Sequence, residues 1–133
     1  MELASFDDKI RETVNSGKEK MYFDLVGTPH MRCWLNVYMP GAGTAGLHYH
    51  NSDETFTVLE GRGEVAHRDG SKTAIEKGSV VLIPAKFYYD IKNTGDGVLA
   101  LLGNRAEAFG GPTIYLDPEL DKKMKSRKQF EKI

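Results

Sequence analysis

The sequence lacks several features that would indicate particular classes of protein. It has a single cysteine, Cys33, so a disulfide within the chain is excluded. The N-terminal stretch MELASFDDKI carries early acidic residues and no apolar segment of the secretory kind, so we expect a reduced, cytoplasmic protein. The longest apolar runs, residues 80–83 and 98–102, are far shorter than the roughly 20 residues of a membrane-spanning helix. We therefore expect no membrane span.

An excess of charge of either sign is also missing. Lysine and arginine together number 18, aspartate and glutamate together number 19, and the formal net charge is -1. Proteins that bind nucleic acids or anionic membranes usually present a basic field. Neither partner is expected here. A chain of 133 residues is long enough for one domain and too short for two, so residues 1–133 are predicted to form a single domain.

The central part of the chain, residues 22–116, has the pattern of an all-β domain. Short runs rich in Val, Leu, Tyr and Phe alternate with Gly, Asn, Asp and Pro. The ten runs are YFDLV, MRCWLNVYM, GLHYH, ETFTVLEG, GEVAHR, KTAIEK, SVVLIPA, YYDIKN, VLALLGN and TIYL. Many short strands at this spacing predict an antiparallel sandwich or barrel.

Short helices are predicted on both sides of this β region. Within residues 1–20, Phe6, Ile10 and Val14 recur every four residues, a period that indicates a helix. Residues 117–133 open with Asp-Pro-Glu, which supplies a cap, a first-turn proline and an acid that favours the positive end of the helix dipole. We therefore expect a C-terminal helix there.

The stretch GAGTAGLHYHNSDE, residues 41–54, begins with a motif that has two interpretations. Its first six residues spell G-x-G-x-x-G, which binds dinucleotide phosphates only when a helix follows the loop. The residues that follow are aromatic and β-branched and have no helical stripe. Gly41, Gly43 and Gly46 are therefore interpreted as loop and bulge formers before a strand.

The second half of the same stretch predicts a metal site. Side chains two residues apart on a strand share a face, so His48 and His50 point the same way. Glu54 follows after a short bend that can return its carboxylate to the same place. Two imidazoles and one carboxylate suit Fe(II), Mn(II), Ni(II), Co(II) or Zn(II). A hydrogen-bonded histidine pair in a polar core explains the spacing without a metal.

Two sets of residues have the spacing of a known pair of motifs. The pattern H-x-H, three or four residues, Glu, six residues, Gly is matched by His48, His50, Glu54 and Gly61. The pattern Gly, five residues, Pro, with a closing asparagine, is matched by Gly78, Pro84 and Asn93. In both motifs the chain resembles the cupin family. The resemblance implies a small antiparallel jelly-roll barrel with its site inside the mouth, a small-molecule substrate and a homodimer formed through edge strands.

The chain departs from the cupin motifs at the fourth metal ligand. The second motif normally supplies a histidine where this chain has Tyr89, and its internal glycine is replaced by Lys86. The resemblance therefore implies His48, His50 and Glu54 as metal ligands. Tyr89 is predicted to be a fourth ligand or an acid–base group.

Three functions are compatible with Tyr89. In the one we predict, the other three ligands hold Fe(II) with open positions, and the protein is a non-heme oxygen-using oxidoreductase that acts on a small polar metabolite. In the second, Tyr89 is the general base of a metal-dependent lyase or isomerase. In the third, Tyr89 only fills volume in a non-catalytic, small-molecule-binding cupin.

Further side chains are candidates for contact with a substrate. Strand alternation places Trp34, Asn36 and Tyr38 on one face, and Asn36 and Tyr38 are predicted to orient the substrate if that face is the interior. Packing at a subunit interface or under the N-terminal helix is the alternative. Arg105 or Glu107, just after the VLALL run, is predicted to close the barrel mouth over an anionic or polar substrate.

Overall fold

The structure, a computed structural model, describes the backbone of residues 1–131 and the side chains of residues 1–126. Within this range it has two helices and ten strands, in the predicted order. The helices are α1 (Asp7–Ser16) and α2 (Pro118–Glu131). The strands are β1 (Lys20–Thr28), β2 (Met31–Tyr38), β3 (His48–Tyr49), β4 (Glu54–Glu60), β5 (Arg62–His67), β6 (Lys72–Glu76), β7 (Val80–Ile83), β8 (Tyr89–Asn93), β9 (Leu99–Arg105) and β10 (Ile114–Tyr115).

The end of the predicted C-terminal helix, Lys132 and Ile133, lies outside the described residues. Neither helix in the described part of the chain combines the length and apolar character needed to span a membrane.

The strands form two antiparallel sheets of five strands each. Their orders are β1-β2-β9-β4-β7 and β10-β3-β8-β5-β6, so most neighbours in space are distant in sequence. This exchange of strands between two facing sheets is a jelly roll, and the predicted all-β fold is confirmed. Over residues 1–131 the sheets are hydrogen-bonded within themselves and do not close into a continuous barrel.

One end of the space between the sheets is filled with apolar side chains. We call this cluster the apolar end. All its members are 4% exposed or less, and they are Val58, Val65, Ile75, Ile91, Leu99 and Leu101. Because the inward positions of a strand recur every second residue, each sheet contributes one face to this core. The opposite end of the same space is lined with polar and aromatic side chains.

Helix α1 packs against the outer face of the first sheet. Ile10 is buried in a cluster with Leu35. Val14, which has the same four-residue period in the sequence, is 47% exposed, and Thr13 is buried instead. With 3.6 residues per turn, the position three residues after Ile10 lies as close to the sheet as the fourth. Thr13 is accommodated because its hydroxyl donates to the Lys9 carbonyl at 3.0 Å.

The glycine-rich loop before β3 pairs with β8. The Gly41 N–H donates to the Asn93 carbonyl at 3.1 Å, and Gly43 lies so close to β8 that a Cβ there would be 2.0 Å from the Ile91 carbonyl oxygen. Strands β3 and β4 follow the loop directly. The interpretation of these glycines as loop formers is confirmed, and the loop lacks the strand–loop–helix setting of a dinucleotide site.

Candidate functional site

Two rows of side chains on neighbouring strands meet at the polar end of the space between the sheets. We call this the site end. In the second sheet, cross-strand pairing aligns Tyr115, His48 and Tyr89. In the first sheet, it aligns Arg32, Arg105 and Glu54. Residues that are distant in sequence are thus brought together by strand register.

The two histidines converge as the strand pattern predicts. His48 is 4% exposed and His50 is 8% exposed, and their ring centroids are 5.1 Å apart. The Nδ1 of His48 lies 2.8 Å from the Gly46 carbonyl, and the Nδ1 of His50 lies 3.2 Å from the Pro112 carbonyl. Because a carbonyl only accepts, each Nδ1 carries the proton and Nε2 is the unprotonated nitrogen.

Both imidazoles are held in the neutral form. Burial lowers the pKa of His48. Burial, with the nearby Arg105 guanidinium as the next contribution, lowers the pKa of His50 to about 3. At neutral pH each ring therefore has an unprotonated nitrogen that can accept a hydrogen bond or bind a metal.

Glu54 makes a buried ion pair with Arg105. The Arg105 Nε and Nη2 atoms donate to Glu54 Oε2 at 2.9 and 2.6 Å, and the two residues are 4% and 2% exposed. Arg105 Nη1 also donates to Glu107 Oε1 at 3.2 Å. Burial raises the pKa of Glu54, and the guanidinium opposes that rise. The sequence predicted that Arg105 or Glu107 closes the mouth of the barrel. Instead, Arg105 forms part of the buried wall, and Glu107 holds it there through a hydrogen bond.

Tyr89, a member of the row in the second sheet, packs near both histidines. Its ring centroid is 4.4 Å from that of His48 and 6.1 Å from that of His50. It is 1% exposed, and burial, reinforced by the Glu54 carboxylate, raises its pKa well above the usual value. The phenol therefore keeps its proton at neutral pH and acts as a donor.

The predicted ligand set is not assembled for a metal as the side chains stand. Among the residues that the structure describes, no group of three His, Cys, Asp or Glu side chains is placed to hold a metal ion. The imidazoles are suitable, because ligating histidines commonly donate the other ring N–H to a carbonyl. The carboxylate of Glu54 is not, because its Oε2 is bound by two nitrogens of Arg105 and a metal there would face the guanidinium charge. The set does not fit a divalent ion in this arrangement, and metal ligation stays a prediction.

The site end opens into a cavity of about 530 Å³, a volume typical of small-molecule sites. The predicted residues Asn36, Tyr38, His48, His50 and Tyr89 all line it. So do Trp34, Phe56 and Tyr115, which make the wall largely aromatic. Helix α2 contributes Leu120, Lys123 and Met124 to the same wall, a role that the sequence did not reveal.

Two arginines lie over the ring of Trp34. The guanidinium carbon of Arg32 lies 4.5 Å from the centroid of the indole, and that of Arg105 lies 4.8 Å from it. Gly103, opposite Trp34 on β9, leaves room for the ring, since a Cβ there would lie 2.4 Å from two indole carbons. The ring also makes an edge contact with Phe56, with centroids 5.5 Å apart. Trp34 therefore organises both cations at the site.

Sequence reasoning did not identify Arg32 as a site residue. The signal was present, because Arg32 has the same strand parity as Trp34, Asn36 and Tyr38. Extending that inward-facing series by one step towards the start of β2 reaches Arg32, which lines the cavity with the other three.

The family and the fold can be compared with known proteins. A family model described as "Cupin domain" matches residues 34–103, which is more than half of the chain. This span includes both motifs and the candidate residues from Trp34 to Tyr89. No curated protein sequence matches the chain.

Solved structures share the fold at low sequence identity. An uncharacterized conserved protein with a double-stranded beta-helix domain from Klebsiella pneumoniae has a TM-score of 0.64 and 19% identity, over 71% of this chain and 83% of that chain. An RmlC-like cupin family protein from Methanocaldococcus jannaschii has a TM-score of 0.62 and 22% identity, over 69% and 84%. The DMSP lyase DddQ from Ruegeria pomeroyi has a TM-score of 0.65 and 16% identity, over 76% and 53%. Identities this low show a common fold alone.

Proposed function

Because this chain belongs to the cupin family, we propose that it binds a small polar metabolite between its sheets and transforms it by proton transfer, as a lyase or isomerase. The fold supports a metal-dependent enzyme or a small-molecule-binding role in general. The observation that carries the narrower proposal is the contact between the His48 and Tyr89 rings, 4.4 Å apart, at the wall of the cavity. One is a neutral acceptor and the other a protonated donor.

The two groups divide the work of acid–base chemistry. The His48 imidazole takes a proton from a carbon of the substrate, and the Tyr89 phenol donates one to the atom where negative charge develops. Arg105, buried beside them, is already paired with Glu54 and Glu107 and holds that part of the wall in place. The sequence suggested Tyr89 as the base, and its burial now favours the opposite role, with the histidine as base.

A metal-dependent oxidoreductase is the second candidate, with Fe(II) as the predicted metal. The observation that favours it is the orientation of the two imidazoles, each with Nδ1 bound to a backbone carbonyl. The predicted ligands are His48, His50, Glu54 and Tyr89. This function requires Glu54 to exchange Arg105 for the metal, which is why we place it second.

Proton abstraction can be tested by hydrogen exchange. Purified protein is incubated in D2O with a panel of small polar metabolites, and loss of their C–H signals is followed by proton NMR. His48→Gln and Tyr89→Phe are each expected to slow exchange by about 10²–10⁴-fold. His67→Gln is the matched control, because the Nε2 of His67 is bound to Thr73 at 2.7 Å, outside the cavity. Exchange unaffected by either site substitution would overturn the proposal.

Metal content separates the two candidates. Wild type and Arg105→Met are loaded anaerobically with Fe(II), desalted and subjected to elemental analysis. We expect wild type to retain much less than one metal ion per chain, and Arg105→Met to retain more because Glu54 is released. One ion per wild-type chain, lost in His50→Ala and accompanied by substrate-dependent oxygen uptake, would favour the oxidoreductase instead.

The homodimer suggested by the family resemblance also has a physical basis. Strand β7 is an edge of the first sheet, and its Val80 and Leu82 are 66% and 65% exposed. An exposed apolar edge strand of this kind can pair with the same strand of a second copy about a two-fold axis. We expect a dimer by light scattering and a monomer after Val80→Lys combined with Leu82→Lys. A dimer that survives both substitutions would exclude this edge.

A further inference from the structure

The guanidinium of Arg32 is a charge without a partner at the wall of the cavity. It lies against the faces of Trp34 and Phe109, with its central carbon 4.5 and 5.3 Å from the two ring centroids. Within the part of the chain that the structure describes, it forms no ion pair, and its buried Nε has no hydrogen-bond partner. Its two terminal nitrogens also form no hydrogen bond among the described residues, and they are the edge available to a planar anion.

Asn36 presents a second unpaired polar atom to the same cavity. The residue is 4% exposed, and its Oδ1 is buried without a hydrogen-bond partner among the described residues. Buried polar atoms of this kind are rare because each loses its hydrogen bonds to water. An amide oxygen only accepts, so the missing partner is a donor. Arg32 and Asn36 both line the cavity from the same face of β2, one on either side of Trp34.

The charges that face the cavity are consistent with an anionic ligand. Four basic side chains line it, and they are Lys20, Arg32, Arg105 and Lys123. Asp24 is the one acidic side chain of the cavity lining in the described part of the chain. Arg105 is already neutralised by Glu54 and Glu107, so Arg32 is the guanidinium available to a ligand.

We propose that Arg32 and Asn36 form the recognition site for a small carboxylate that also carries a hydroxyl or amino donor. The carboxylate pairs with the Arg32 guanidinium, the donor group hydrogen-bonds to Asn36 Oδ1, and the body of the molecule contacts Trp34. A guanidinium edge forms two parallel hydrogen bonds with a planar carboxylate, and phosphate, which a guanidinium also binds, is the alternative that the titration distinguishes. This inference deepens the proposed function and rests on it only for the chemistry that follows binding.

Trp34 is the single tryptophan of the chain, so its fluorescence reports directly on this site. The probes are lactate and 4-hydroxybenzoate, each with two matched analogues. Propionate and benzoate lack the donor, and lactamide and 4-hydroxybenzamide lack the charge. Titration of the wild type, checked by calorimetry, is expected to give tighter binding of at least one hydroxy acid than of both its analogues.

Substitutions assign the two ends of the ligand. Arg32→Gln is expected to weaken hydroxy-acid binding by about tenfold or more and to leave the amide unchanged. Arg32→Lys, which keeps the charge without the planar edge, should recover part of the loss. Asn36→Ala should reduce the preference for the hydroxy acid over its analogue without a donor. Lys72→Gln is the control, since it removes the same charge from exposed strand β6.

Several results would overturn the inference. These are a panel that does not bind at all, hydroxy-acid binding that is unaffected by Arg32→Gln in a folded variant, or equally tight binding of inorganic phosphate. Failure of the proposed function is distinguishable from these outcomes. If Arg32 governs binding while His48→Gln and Tyr89→Phe leave hydrogen exchange unchanged, the recognition site stands and the proton-transfer chemistry does not.

Discussion

The two ends of the space between the sheets are built by the same strands and have opposite character. On β9, Leu101 belongs to the apolar end, and Arg105 lies at the site end. On β4, Val58 and Glu54 show the same contrast. All four residues are 4% exposed or less. Equally buried positions on the same strands therefore hold apolar side chains at one end and charged side chains at the other.

Stability and function depend on opposite ends of the same fold. At the apolar end, each buried aliphatic side chain contributes about 1.5–3 kcal/mol through removal from water. At the site end, burial opposes the charges of Arg105 and Glu54, and this pair persists only because each of the two groups is the partner of the other. Substitutions at the site end should accordingly change the free energy of unfolding through the loss of a polar partner or through strain. The loss of buried apolar surface should matter less there.

The largest effect is expected from breaking the buried ion pair. Arg105→Met leaves the Glu54 carboxylate buried without its partner and should lower the free energy of unfolding by about 3–5 kcal/mol. Combined with Glu54→Leu, the same change should cost much less, because an apolar pair then replaces the charged one. Urea unfolding of the two variants measures the difference. If Arg105→Met alone is as stable as the double variant, the Glu54 carboxylate does not depend on Arg105 for its burial.

Acid should destabilise the site end through His50. Its pKa is lowered to about 3 in the folded protein, where Arg105, His48 and Arg32 face it, and an unfolded histidine titrates near 6.5. Below about pH 6.5 the unfolded chain binds the proton first, so stability falls as the pH falls towards 3. At pH 5 the loss from His50 alone is about 2 kcal/mol. His50→Gln should remove this part of the pH dependence in thermal melts. If the melting temperatures of the variant and the wild type fall by the same amount as the pH is lowered, the prediction is wrong.

A smaller effect is expected where Trp34 meets β9. Gly103→Ala places a methyl group 2.4 Å from two indole carbons and should cost about 1–3 kcal/mol. It should also shift Trp34 fluorescence, because the ring must move relative to the two arginines that lie over it. Gly97→Ala is the control, since a Cβ there meets nothing within 4 Å. Unchanged stability and emission in Gly103→Ala would mean that the ring is not confined.

The parts of the site that the sequence predicted are those set by local geometry. The two-residue period of a strand places His48 with His50, and Asn36 with Tyr38, whatever the rest of the fold does. The ten strands were predicted for the same reason, because each is marked by its own run and its own turns. The exposed Val14 shows the limit of such patterns at a helix that has only one buried stripe.

The partner of Glu54 was beyond the same reasoning. Arg105 is separated from it by 51 residues, and the two meet only because β4 pairs with β9 in one particular register. A shift of one of these strands by one residue against the other would turn one of the two side chains to the outer face. Sequence patterns predict which side chains share a face of a strand, and they do not predict which strands are neighbours. For that reason the carboxylate was predicted to be a metal ligand and is found in an ion pair.

The smallest effect concerns backbone strain at the site end. Lys86 has a φ of 64°, a left-handed conformation that favours glycine, at the position where the second cupin motif has one. Its N–H donates to the His50 carbonyl at 2.7 Å, so the strained residue helps to hold the site. Lys86→Gly should raise the free energy of unfolding by about 1 kcal/mol, because it removes the clash of Cβ with the backbone. Lys92→Gly, at an exposed position in β8, should lower it by a similar amount. If both substitutions destabilise the protein equally, the strain at Lys86 is absent, and the site end differs from the apolar end by its charges alone.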